Sequence, residues 1–159
     1  ANGVAQTQIS STRAGSVTVT ARINGQTQDT TVTFVANRAT AQFSGTPVVT
    51  NNNAVADGQA AIGVAFTVQD GSGNVLPGQD VTITYPAAGG QQSVTVQTDA
   101  NGVAQTQISS TRAGSVTVTA RTNGQTQDTT VTFVANRATA QFSGTPVVTN
   151  NNAVADGQA

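Results

Sequence analysis

Residues 1–60 return as residues 100–159, shifted by 99 positions and differing at one, where Ile23 stands against Thr122. Residues 61–99 occur once. Any fold for this chain must therefore close within one such period and then begin again. A period of this length exceeds the roughly 20–50 residues of solenoid units and suits one small β-sandwich domain. The chain also lacks an initiating Met and a signal-peptide pattern, so it reads as a window on a longer tandem array that starts and ends inside repeats. The short polar stretch Ala36-Asn37-Arg38-Ala39, returning as Ala135-Asn136-Arg137-Ala138, reads as the linker. One complete domain is then expected over 38–136. Residues 1–37 would hold the last three strands of the preceding copy, and 137–159 the first strand of the next. Neither end contains a counterpart of residues 61–99, so neither can complete a sandwich.

Thr and Val supply 28 and 22 residues, almost a third of the chain, and both are β-branched. There is one Leu, Leu76, and no Lys, Glu or Met, the residues that fill ordinary helices. The expected class is all-β. Ile62, Val64, Phe66 and Val68 alternate without a break and predict a strand with one buried face. Val81, Ile83 and Tyr85 predict another, ended by Pro86. Val94 and Val96 mark a short strand, and Ala104, Thr106 and Ile108 follow on one face. Val116, Val118 and Ala120 form the next, then Thr129, Val131 and Phe133. Ala39–Phe43 and Val48–Thr50 read as a first strand broken at Gly45-Thr46-Pro47, as an edge strand or bulge allows. Asn51–Gly58 reads as a loop and Asp70–Asn74 as a turn. Asp99-Ala100-Asn101-Gly102 and Asn123-Gly124 read as hairpin turns. Seven to eight strands at this spacing fit a sandwich.

The ordered motifs Ala56-Asp57-Gly58, Val68…Asp70…Gly73-Asn74-Val75…Pro77-Gly78…Val81, Thr98-Asp99-Ala100-Asn101-Gly102-Val103-Ala104, Ser110-Thr111…Ala113-Gly114 and Val116…Val118…Ala120 resemble the bacterial immunoglobulin-like repeat of group 1. That repeat occurs in intimin- and invasin-type (inverse autotransporter) adhesins. The resemblance spans the whole 99-residue unit. It implies an Ig-like β-sandwich in the rod of a surface-anchored bacterial protein, outside the cell, with the outer-membrane anchor and any receptor-binding tip carried by other segments.

Composition removes most chemistry. The chain has no His, Cys, Glu or Lys. Zinc sites, disulfides, Schiff bases, Lys isopeptide crosslinks and Walker-type phosphate loops are excluded. Ser and Thr are abundant, but only Asp could activate a hydroxyl, and no Gly-x-Ser-x-Gly elbow is present; no enzyme is expected. Asp57, Asp70 and Asp99 are the calcium candidates. Asp70–Asn74 looks like the start of a calcium loop, yet Val75 and Val81 stand where an EF-hand needs Gly and Glu. A local turn is the plainer account, and no metal or cofactor is called for. Phe66 and Phe133 fall in phase with core positions, Tyr85 follows the same alternation, and Phe43 is ambiguous, so no aromatic sugar platform emerges. Arg112, Arg121 and Arg137 are dispersed, and a net charge of −1 offers nothing to nucleic acid.

A near-identical repeat adds length without adding chemistry. The expected role is a stalk or spacer that carries a distal binding tip away from the cell, with neighbouring repeats as partners and no membrane insertion by this segment. Two other readings remain: an Ig-like module that itself binds a ligand on a host or neighbouring cell, and a self-assembling extracellular fibre. The absence of Lys, a common guard on sheet edges, keeps edge-strand pairing with other copies open.

Overall fold

A computed structural model describes residues 2–87, 89–149, 151–155 and 157. The preceding copy supplies an antiparallel hairpin of β1 (Gly15–Ile23) and β2 (Gln26–Phe34). A 3-10 turn at Arg38–Thr40 leads into β3 (Gln42–Thr50), β4 (Ala54–Val55), β5 (Ile62–Gln69) and β6 (Asp80–Ala87). Then follow β7 (Gly90–Gln97), β8 (Val103–Ile108), β9 (Gly114–Thr122), β10 (Gln125–Val134) and a second 3-10 turn, Arg137–Thr139. Strands β3 to β10 form a two-sheet sandwich. One sheet has the order β4-β10-β9-β6-β7 and the other β3-β5-β8.

The period-2 pattern decides which side chains meet between the sheets. Ile62, Val64, Phe66 and Val68 on β5 are buried against Val81 and Ile83, Val118 and Ala120, and Val131 and Phe133 of the facing sheet. Ala104 and Ile108 of β8 join them. Each such Val, Ile or Phe stabilises by about 1.5–3 kcal/mol relative to exposure. Phe43 resolves as a core-side residue: its ring meets Phe66 edge-on, centroids 6.1 Å apart at 61°. Leu76 is buried although it lies outside the strands. Its N–H donates to the Val68 carbonyl at 3.0 Å, and its carbonyl accepts from the Thr98 hydroxyl. The connection after β5 is thereby drawn into the core.

Several expectations are corrected. Asp99–Gly102 is a tight turn, with the Gly102 N–H donating to Asp99 O at 2.9 Å, but it does not close a hairpin. It carries the chain from β7 in one sheet to β8 in the other, because β8 finds its partner in β5. Pro86 does not end its strand: it pairs with Gln91, and the β6–β7 hairpin extends to Ala87 and Gly90. Gly90–Gln97 is eight residues long, longer than the short strand expected at Val94 and Val96; Ala88 lies outside the described residues. Within Asn51–Gly58, Ala54–Val55 adds a short parallel strand to Phe133–Val134. The first strand begins at Gln42, since Ala39 and Thr40 belong to the 3-10 turn. The break expected at Gly45-Thr46-Pro47 is a bulge within this one strand, a register shift between Ser44 and Val48.

The flanking copies are less structured than expected. Among the described residues up to Asn37 there are two strands rather than the three expected over 1–37, and the counterpart of β8 forms none: Val4 is 73% exposed. Among the described residues after Thr139 no strand forms, and Phe142, the copy of Phe43, is fully exposed. The cause is the same at both ends. Strands β3 and β8 are held by β5, and the sequence of β5 occurs once. The β1–β2 hairpin survives because its own register, Gly15↔Phe34 through Ile23↔Gln26, needs no third strand.

Candidate functional site: the joint between repeats

The polar stretch read as a linker is ordered and tied to the domain that follows. Asn37 caps the 3-10 turn, its side chain accepting from the Ala39 N–H at 3.1 Å. Its own N–H donates to Asp70 Oδ2 at 2.9 Å. Thr40 Oγ1 accepts from the Gly71 N–H at 2.9 Å. Arg38 reaches the same end of the sandwich, donating from Nη2 to Pro77 O at 2.8 Å and from Nη1 to Gln79 Oε1 at 3.0 Å. Asn123, in the β9–β10 turn, donates to Ala39 O and Ala41 O at 3.1 and 3.3 Å.

Asp70 is the hub. It is 2% exposed. Oδ1 accepts from the Ser72 and Asn74 N–H groups at 2.9 Å each, and Asn74 Nδ2 donates to Oδ2 at 3.0 Å. The Asn37 N–H, followed by the Asn74 side chain and N–H, holds its carboxyl far below the usual carboxylate range. Asn74 in turn spans the joint. Its Oδ1 accepts from the Ala14 N–H at 2.8 Å, and its Nδ2 donates to Thr12 O at 2.8 Å. The loop that leads into β1 is thus seated on the Asp70–Asn74 turn, with a cleft lined by Thr12–Ala14 and Ser72–Val75 between them.

The three calcium candidates lie in separate turns, and local amides occupy them. Asp57 accepts from the Ala60 and Gln59 N–H groups at 2.8 Å each, which lowers its carboxyl pKa. Asp99 accepts from the Asn101 and Val103 N–H groups at 2.8 and 3.0 Å. Among the described residues no three acids gather. Arg112, Arg121 and Arg137 are exposed. A second opening, about 510 Å³, lies at the far end of the domain beside Tyr85, Ile108, Arg112 and Phe133. No helix among the described residues is long and apolar enough to cross a membrane, which says nothing of β-barrels.

Sequence reasoning missed the joint. Asp70 stood out as a turn residue and a calcium candidate and Asn74 as a turn residue, and their partners across the joint are backbone groups of Ala14, Thr12 and Asn37, which carry no side-chain signature. The one available signal was the pairing of two polar segments, Ser11–Ala14 and Asp70–Asn74, that flank the linker region.

Comparison with known proteins agrees with this architecture. Over 88 residues the chain is 38% identical to the inverse autotransporter adhesin YeeJ of Escherichia coli (strain K12), covering 55% of this chain and 4% of that protein. The crystal structure of invasin, described as a bacterial integrin-binding protein, matches with a TM-score of 0.52 and 41% identity, covering 57% of this chain and 19% of that one. The D0–D1 domains of intimin match with a TM-score of 0.50 and 26% identity, over 76% of this chain and 63% of theirs. The chain therefore spans less than two thirds of each of these relatives. The model of the bacterial Ig-like domain (group 1) matches residues 44–134, more than half of the chain, and the protein belongs to that family.

Proposed function

We propose that this chain is a stalk segment of a bacterial cell-surface adhesin, a spacer that holds a distal binding element away from the cell, with 38–136 as its repeating unit. The observation that carries this reading is the joint. Asn74 holds the backbone of the preceding copy at Thr12 and Ala14, and Asp70 holds the linker at Asn37. A chain whose domains are only strung together would leave these residues to solvent. The similarity to the inverse autotransporter adhesin, invasin and intimin supports an extracellular location and a role in adhesion without catalysis. Strands of eight to ten residues span about 26–34 Å, so each repeat adds a few nanometres of length.

The test is small-angle scattering on arrays of one to four repeats. The maximum dimension is expected to grow by one domain length per repeat, with a cross-section that stays constant. Arrays that collapse, or whose dimension grows only as the square root of repeat number, would refute the spacer reading.

A further inference from the structure

The loop seated on the Asp70–Asn74 turn exists twice in this chain. Ser11-Thr12-Arg13-Ala14 recurs as Ser110-Thr111-Arg112-Ala113, between β8 and β9 at the opposite end of the complete domain. Both copies have the same internal bonding. Ser11 Oγ accepts from the Arg13 N–H at 2.9 Å and donates to Arg13 O at 3.0 Å; Ser110 Oγ does the same with Arg112, at 2.9 Å in each case. In the complete domain the loop is also anchored from below, because the Gly58 N–H donates to Ser110 O at 2.9 Å. The chain leaves this end in the geometry seen at the first joint. Asn136 caps Arg137–Thr139 at φ −85°, ψ 101°, and Asn37 caps Arg38–Thr40 at φ −92°, ψ 101°. What differs is occupancy: Asn74 holds Thr12 and Ala14, whereas the turn that would hold Thr111 and Ala113 is not among the 159 residues.

We propose that the Ser110–Ala113 loop is a preformed docking surface for the Asp-Gly-Ser-Gly-Asn turn of a following copy of this repeat. The bonds would be those of the first joint: Ala113 N–H to the Asn side-chain oxygen, and the Asn amide to Thr111 O. Each repeat then carries a turn at one end and its receptor at the other, a head-to-tail contact that neither closes nor needs a second chain. Because the receptor groups are backbone atoms fixed by Ser110, little order is lost on docking. The opening beside Tyr85 and Arg112 shares this loop, so it lies at the joint face rather than on an isolated surface. The inference rests on the spacer reading and adds a defined contact to it.

The test is amide hydrogen exchange on this chain and on the same chain extended by one further 99-residue period. The Ala14 N–H serves as the internal standard. It is expected to be protected in both chains and released by Asn74→Ala. The Ala113 N–H is expected to exchange about tenfold more slowly in the extended chain, the equivalent of one ordinary hydrogen bond. That protection should vanish when the Asn74→Ala change is placed in the following copy. Protection of Val64 and Val118 in the same data shows that the variant domains are folded. Equal exchange of Ala113 in both chains overturns the proposal, as does protection that survives the substitution. An extended array that lengthens normally while Ala113 stays unprotected refutes this contact alone; a collapsed array refutes the spacer reading.

Discussion

Gly102 makes a demanding use of glycine, and its replacement gives a sharp test of how the two sheets are joined. Its φ is +76°, and a Cβ there would lie 2.7 Å from Val68 O, 3.0 Å from Val75 Cβ and 3.2 Å from Leu76 N. The first and last of these are backbone atoms and cannot swing away. The left-handed conformation alone costs an L-residue about 1–2 kcal/mol. Relieving the contact must also break the bonds beside it, Val68 N–H to Gly102 O at 2.8 Å and Leu76 N–H to Val68 O at 3.0 Å. At about 0.5–1.5 kcal/mol each, they bring the total for Gly102→Ala to about 2–5 kcal/mol. For a domain of this size that lowers the melting temperature by roughly 10–30 °C. Gly124→Ala is the control. Its φ is +73°, yet nothing lies within 4 Å of the added Cβ, so it should cost only the conformational contribution, about 1–2 kcal/mol. Urea unfolding of the 159-residue chain, followed by circular dichroism, measures both. Equal losses for the two variants would show that the close approach at Val68 contributes nothing and refute the reasoning.

Acid should weaken the domain through Asp70 and Asp57. Both carboxyls sit below the ordinary 3.8 when folded, so the unfolded chain takes up protons first; stability is full above about pH 5 and declines as pH falls through 4 toward the folded values. Urea midpoints between pH 7 and pH 2 should show this fall, and Asp70→Asn should flatten it; a slope unchanged by that variant would remove Asp70 as its source. Thr122→Ile, which copies the one difference between repeats, should destabilise by about 1–3 kcal/mol. Thr122 is 4% exposed, accepts from Gln79 Nε2 and donates to Asp80 O, each at 2.9 Å, and Ile can do neither. An unchanged melting temperature would contradict that account. Millimolar calcium should leave melting unchanged, because amide donors already occupy Asp57, Asp70 and Asp99; a rise that depends on calcium would show that these turns do take a metal.

How much was legible follows the range of the interactions. The inward faces of β5, β6, β9 and β10 could be read from alternation, because burial of every second residue needs only one packed face. Asn123-Gly124 was legible as a hairpin because φ values of +49° and +73° belong to that dipeptide. Asp99–Gly102 was legible as a turn but not as a crossing between sheets. Its local chemistry is that of a hairpin, and only the competition for β5 sends β8 to the other sheet. Beyond two polar segments on either side of the linker, the joint was not legible as a contact, since its receptors are main-chain groups whose position depends on the whole fold.

The sequence by itself determined the period, the all-β class, the buried faces and the absence of the chemistry that His, Cys, Glu and Lys would supply. These depend on residue identity and near-neighbour spacing. Tertiary structure alone decided which strands share a sheet, that an apparent linker is bonded at Asp70, and that Asn74 reaches back to the preceding copy. Those outcomes depend on atoms as far as 84 residues apart being brought within hydrogen-bond distance, as at Asn123 and Ala39. That distance is set by the packed core, and no local pattern encodes it.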